Sequence, residues 1–218
     1  MPQRQVKVVV PSWIRPDQPL YQTSARRRRI EKTFATQQGI FLNIPYSPRY
    51  APLELAILST VTAYGLVPHM ARDRLRLETR SSKIAEMILS CRYGLADISY
   101  GTRMNLPLEL GMMLAFGKET FITSRKPYGA LRSISDLNFA DVHYHRGSVR
   151  RLIAMLSRWI EQNCSAKRLT TDSLYRRYRR LRRLRQSLGE DFHKIAPHEF
   201  KHVLGVLQDE FRMMLPGG

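Results

Sequence analysis

Two carboxylates mark the stretch of this sequence where residue type and spacing could do chemistry, YGLADISYGTRMNLPLELGMMLAFGK (Tyr93 to Lys118). Asp97 stands near the end of the apolar run Tyr93–Ile98, and Glu109 stands near the start of the helix-period segment that follows. A carboxylate beside a ligand can attack a carbon directly or stabilise positive charge as it forms. The same residues have a plainer reading, because an acid at a helix start is also favoured by the macrodipole as a solvated charge. Both readings stay open at this level.

The elements that would hold these carboxylates are legible around them. Tyr93–Ile98 reads as a strand, and Ser99 to Arg103 as a loop of polar and turn-forming residues. Asn105 is placed as the N-cap of a helix over Leu106–Phe116, since its side-chain oxygen can accept an early backbone N–H. Pro107 suits the first turn, where its missing N–H is no loss, and Glu109 falls in that same turn. Leu106, Leu110, Met113, Leu114 and Phe116 recur at helical spacing and predict a buried face. Gly111 is expected to admit a close backbone, Gly117 to stop the helix, and Glu119–Ser124 to form the next strand. Asp97 and Glu109 thus flank one strand-to-helix loop, the place where open α/β sheets bind ligands.

The pattern D-I-S, a loop, N-x-x-x-E-L-G and then G-K before a strand resembles the nucleoside 2-deoxyribosyltransferase-like group, which is related in fold to bacterial TIR-like domains. The resemblance covers residues 38–163 in architecture and implies that Glu109 attacks or stabilises the sugar carbon while an N-glycosidic bond breaks. It further implies a sugar-orienting role for Asp97 and Asn105, and a substrate-facing aromatic in the first strand-to-helix loop, which is Tyr46 here.

The rest of the chain supplies the partners of that unit. Ile40–Ile44 reads as a strand, with Asn43 and Tyr46 at its C-terminal end, and Tyr50–Tyr64 as a helix stopped by Gly65. Leu66–Met70 reads as a strand, and residues 71–80 as a charged loop in which Arg80 could hold a phosphate. A helix is expected over Ser81–Ser90, a strand over Phe139–Tyr144, and a helix over Val149–Gln162 capped by Ser148. Strands alternating with helices predict βαβ units. The expected fold is therefore α/β: a flavodoxin-like, mostly parallel five-stranded sheet with helices on both faces, plus a C-terminal helical hairpin. In that order Asn43, Tyr46, Asp97, Asn105 and Glu109 approach one crevice from separate loops.

Charge divides the chain further. The net charge is +18, and residues 1–39, 40–163 and 164–218 each carry +6, so the excess is densest at the two short ends. These ranges are expected to be a basic N-terminal arm, the α/β domain and a basic helical appendage. The arm contains Arg26, Arg27, Arg28 and Arg29 in succession after a proline-punctuated stretch, and it reads either as a solvated tail or as a phosphate-contacting one. The appendage opens with a helix over Ser173–Leu188, capped by Thr171 or Asp172. Leu174, Tyr178, Leu181 and Leu188 form a narrow apolar line on it, and Arg176, Arg179, Arg180, Arg182 and Arg183 are among the seven arginines covering the rest. Seven like charges with almost no acidic neighbours repel, which favours an anionic ligand over a bare solvated face. A second helix is expected over Pro197–Met214.

Several classes are disfavoured. No apolar run approaches the roughly 18–20 residues of a membrane span, and the N-terminus lacks a signal-peptide core, so a cytoplasmic protein without a membrane partner is expected. Cys91 and Cys164 are too few for a disulfide framework or a zinc site, and neither a dinucleotide fingerprint nor a P-loop occurs. No cofactor or metal is expected.

Taken with the resemblance, these features point to a nucleotide or nucleoside N-glycosidase using Glu109 and Asp97, with NAD or a related nucleotide as substrate. Asn43, Tyr46, Asn105 and Arg80 would bind that substrate. Relatives of this kind include NAD-depleting effectors of bacterial antiviral defence, and basic ends suit a nucleic-acid partner, in a homo-oligomer or a nucleoprotein complex. The rival expectation is a non-catalytic nucleic-acid-binding or nucleotide-sensing module. It rests on Arg103 and Met104, which fill the interval where the transferases carry an aspartate before the glutamate.

Overall fold

A computed structural model of the chain describes residues 38–71, 80–99, 105–126, 142–164 and 166–189. The expected N-terminal arm with Arg26–Arg29, the charged loop after Ala71, most of the loop ahead of Asn105 and the helix over Pro197–Met214 lie outside those residues. The described strands are β1 (Gly39–Asn43), β2 (Val67–His69), β3 (Tyr93–Asp97), β4 (Glu119–Ser124) and β5 (Val142–Tyr144). The helices are α1 (Ala51–Ala63), α2 (Arg80–Ser90), α3 (Asn105–Ala115), α4 (Val149–Asn163) and α5 (Thr171–Leu188). The strands form one sheet in the order β2-β1-β3-β4-β5, and every pairing is parallel. The fold is α/β with the flavodoxin-like strand order.

Parallel strands covered on both faces read as continuous apolar runs, and their alternation feeds two cores. Ile40, Leu42, Tyr93, Leu95 and Phe121 point into the core shared with α1, α4 and α5. Phe41, Ala96, Ile98 and Ile122 point into the core shared with α2 and α3. The glycine stops work as Schellman motifs. Gly65, at φ 77°, donates to the Thr62 carbonyl while Leu66 donates to that of Val61. Gly117, at φ 64°, donates to Leu114 while Lys118 donates to Met113.

Several expectations about α3 change. The helix begins at Asn105 itself, so Glu109 opens the second turn and no acid lies in the first. Gly111 has nothing within 4 Å of where a Cβ would stand, and Leu114 is 44% exposed. The close approach occurs instead at Gly94 on β3, where a Cβ would lie 2.6 Å from the Met113 sulfur and 2.9 Å from the Thr120 hydroxyl oxygen. A side chain at position 94 would have to displace the Met113 and Thr120 side chains.

α5 is part of the core. Its N-cap is Thr170, whose hydroxyl accepts from the Ser173 N–H at 3.2 Å, in place of Thr171 or Asp172. Leu174, Tyr178 and Leu181 are buried in the same cluster as the sheet, against α1 and α4, while Leu188 at the far end is 37% exposed. The outer surface of α1 is thereby covered, and every residue from Leu53 to Thr62 is buried. The hydroxyls of Ser59, Thr60 and Thr62 donate to carbonyls one turn back, which satisfies their burial. The change of composition at Cys164 is thus not a boundary in the core.

Candidate active site

β1 continues through α1 to β2 on one side, while β3 continues through α3 to β4 on the other. The chain therefore diverges between β1 and β3, the switch point at whose C-terminal ends open α/β sheets bind ligands. Asn43 ends β1 and Asp97 ends β3. The register pairs Asn43 with Ala96, so Asn43 shares the α3 face of the sheet with Ala96 while Asp97 faces the α1 and α4 side. Of the residues expected to meet in one crevice, Asn43 lies on the α3 face with Glu109, while Asp97 lies on the other face of the sheet.

On the α3 face, the Asn43 amide donates from Nδ2 to the Leu106 carbonyl at 2.8 Å, fixing the first turn of α3 to β1. Its Oδ1 is buried without a hydrogen-bond donor among the described residues. Glu109 stands one turn beyond Leu106 and one turn before Met113, both buried, so its stem follows the inward stripe. It is 8% exposed, and burial pushes its carboxyl up to about 7. No hydrogen bond or ion pair reaches it from the described residues. A buried acid without a donor is costly to keep, and such groups cluster at functional sites.

On the other face, Asp97 is fully buried and its oxygens are taken by protein donors. The Tyr50 hydroxyl donates to Oδ2 at 2.6 Å, His145 Nε2 lies 3.1 Å from the same oxygen, and the Ser99 N–H donates to Oδ1 at 2.8 Å. The Gly147 N–H donates to His145 Nδ1 at 2.9 Å, which leaves Nε2 as the nitrogen bearing the proton towards Asp97. That contact depends on a tight turn, in which Arg146 and Gly147 have φ of 53° and 77° and Ser148 donates back to the His145 carbonyl. Ser99 Oγ lies 3.3 Å from His145 and accepts the Arg125 N–H at 2.7 Å. Serine, histidine and aspartate are together, but Ser99 and Asp97 both address Nε2. A nucleophile relay needs them on opposite ring nitrogens. The cluster is a knot joining β3, the start of α1, the end of β4 and the turn before α4, and Asp97 offers no open atom to a ligand.

No family profile, characterised protein or solved structure matches the chain. Its site must therefore be read from geometry alone.

The remaining expected residues are dispersed. Tyr46, 37% exposed, lies in the loop between β1 and the 3-10 turn Pro48–Tyr50 that leads into α1. Arg80 opens α2 and Asn105 opens α3. Arg176, Arg179, Arg180, Arg182 and Arg183 are all exposed on α5. Cys91 is buried and its thiol is pushed up to about 12 by that burial, so it is no nucleophile at neutral pH.

Sequence reasoning missed Tyr50, Ser99 and His145 as members of a polar knot. The available signal was His145 directly before Arg146-Gly147, a pair suited to a turn that folds back on its own leading residue. It also missed Glu54, buried in the first turn of α1. No described helix is long and apolar enough to cross a membrane.

Proposed function

We propose that the chain is an N-glycosidase of nucleotides or nucleosides, NAD among the candidates, with Glu109 as its catalytic carboxylate. The observation that carries this reading is Glu109 itself: buried, without a partner among the described residues, and pushed up to about 7 at the switch point of an open α/β sheet. A carboxylate already stripped of water is well placed to meet positive charge as it develops, because nothing must be displaced at that moment. The reading agrees with the likeness to nucleoside 2-deoxyribosyltransferases and TIR-like domains, and with a bacterial defence effector acting in the cytoplasm.

In this mechanism the C1′–N bond breaks and its electron pair leaves with the base. The Glu109 carboxylate bonds to C1′ or stabilises the cation there. Water then supplies a hydroxyl to C1′, releasing the Glu109 carboxylate where it had bonded, and its proton goes to the base of a neutral nucleoside or, with NAD, whose nicotinamide leaves neutral, to solvent. Asn43 Oδ1, an acceptor without a donor among the described residues, matches a ribose hydroxyl, and Asn105 at the start of the helix that carries Glu109 is the second sugar contact. Tyr46 supplies an aromatic surface for the base, and Arg80 a fork for a phosphate. Asp97 acts from the opposite face as a positioning residue, holding the end of β3 and the start of α1.

The test is incubation with NAD and a panel of nucleosides, followed by chromatography for the free base. Base release by the native chain and its loss in Glu109→Gln support the proposal. Full activity in Glu109→Gln, or no release from any substrate, overturns it. Saturable nucleotide binding without release would favour the rival sensing module.

A further inference from the structure

The burial of α5 decides which part of it is left for a partner. Its apolar line enters the core, so the helix cannot turn that line outward. Arg176, Arg179, Arg180, Arg182 and Arg183 are exposed on what remains. Residues 149–189 contain twelve lysines and arginines and two acids. Both acids are engaged: Asp172 pairs with Arg150, and Glu161 accepts from the Tyr64 hydroxyl and the Leu169 N–H. Arg176, Arg179, Arg182 and Arg183 make no ion pair or hydrogen bond among the described residues. Arg177 beside them is half-buried, and its buried Nε–H has no acceptor there.

We propose that the exposed arginine face of α5 binds double-stranded nucleic acid through its phosphates. Three observations select this partner. Arg176, Arg180 and Arg183 repeat at helical spacing over about 10 Å of axis, with Arg179 and Arg182 alongside, so the surface presents a repeating charge to a repeating polyanion. An interfacial membrane helix needs an outward apolar face, and here that face is inside the protein. Single strands are held by stacking bases on aromatic rings, whereas Tyr175 and Tyr178 stack on each other at 5.6 Å, Tyr178 buried and Tyr175 half-buried under Arg150. Guanidinium forks on a helix with no exposed aromatic ring of its own suit a duplex backbone.

α5 runs antiparallel to α4, since Leu169 meets Glu161 while Asp172 meets Arg150 nearer the start of α4. The start of α4 adjoins the His145 knot at the C-terminal end of the sheet. The arginine-bearing half of α5 is therefore directed toward the sheet end where Glu109 stands, and a duplex held there approaches that end.

The test is anisotropy titration of the full chain with a short duplex DNA, a duplex RNA, a single strand of the same length and phosphatidylserine vesicles, over a range of salt. Duplex binding that weakens steeply with salt and depends little on sequence is expected. The DNA and RNA arms identify which duplex is preferred. Replacing Arg176, Arg179, Arg182 and Arg183 with glutamine preserves helix propensity and should lower the salt slope by about 3 to 4 units. The pairs Arg176→Gln/Arg179→Gln and Arg182→Gln/Arg183→Gln should each lower it by about 2, should the fourfold variant lose helicity. Glu109→Gln should bind like the native chain, which keeps this result independent of the glycosidase assay. An unchanged slope in the pairs, or tighter binding to the single strand or the vesicles than to the duplexes, overturns the proposal.

Discussion

The Tyr50 hydroxyl and the His145 imidazole meet on one oxygen of Asp97, at 2.6 and 3.1 Å, in a place with no solvent exposure. Removing a donor there leaves a buried oxygen short of a partner, and hydrogen bonds to charged groups are worth about 1.5–3 kcal/mol. Tyr50→Phe should therefore lower stability by about 2 kcal/mol, shifting the urea midpoint without changing the slope of the transition. A variant as stable as the native chain would remove Asp97's positioning role.

Glu109 should destabilise the protein it serves. Its folded value lies at about 7 against an ordinary 4.5. Below the lower value both states are protonated and no penalty exists. Between the two, the unfolded chain ionises while the folded one holds its proton, so stability falls as pH rises. Above the upper value the loss is complete, at about 3 kcal/mol. Glu109→Gln should accordingly be more stable than the native chain at pH 8 and equal to it at pH 4, measured by urea unfolding at both.

The same titration sets the rate profile. A carboxylate that attacks or stabilises carbon must be ionised, so kcat/KM should rise through about 7 and level off above it. A descending limb there would make Glu109 a general acid to the departing base instead. Glu109→Gln should lose several powers of ten in kcat/KM, by chromatographic assay.

Gly94 offers a test at a distance from the reacting atoms. An alanine there would place a Cβ 2.6 Å from the Met113 sulfur and 2.9 Å from the Thr120 oxygen. Overpacking of this kind costs about 1–3 kcal/mol, and its relief requires the Met113 side chain on α3 and the Thr120 side chain on β4 to shift. Gly94→Ala should lose stability by that amount, and activity with it, because Glu109 rides on the same helix.

Much of the fold was legible because its signals are local. β4 spans Glu119–Ser124 as its residues suggest, and Gly65 and Gly117 stop their helices where expected. The site was less legible because its signals are relational. Asn43 and Asp97 each end a strand, but the register that turns them to opposite faces is a property of the pair. Gly111 looked like the close-packing glycine of α3, yet the close approach comes at Gly94, on a strand the sequence does not mark as a neighbour of Met113. The full burial of α1 depends on α5 docking over it, although the lack of any charge from Leu55 to Ala71 was a usable hint.

Because α5 is a layer of the core, Leu181→Ala should cost about 2–5 kcal/mol, as for other buried leucines. A helix merely appended to the domain would lose almost nothing in the same unfolding measurement.

The cover that α5 gives α1 also has a consequence in time. α1 is synthesised roughly a hundred residues ahead of the helix that shields it, and synthesis proceeds at about 5–20 residues per second. For several seconds a nascent chain carries α1 with its outer surface uncovered. Contacts between such distant segments are also slow to form once both exist. The nascent chain is thus a natural client for a holdase chaperone, and a gene truncated before Thr171 should yield inclusion bodies where the full-length gene yields native protein.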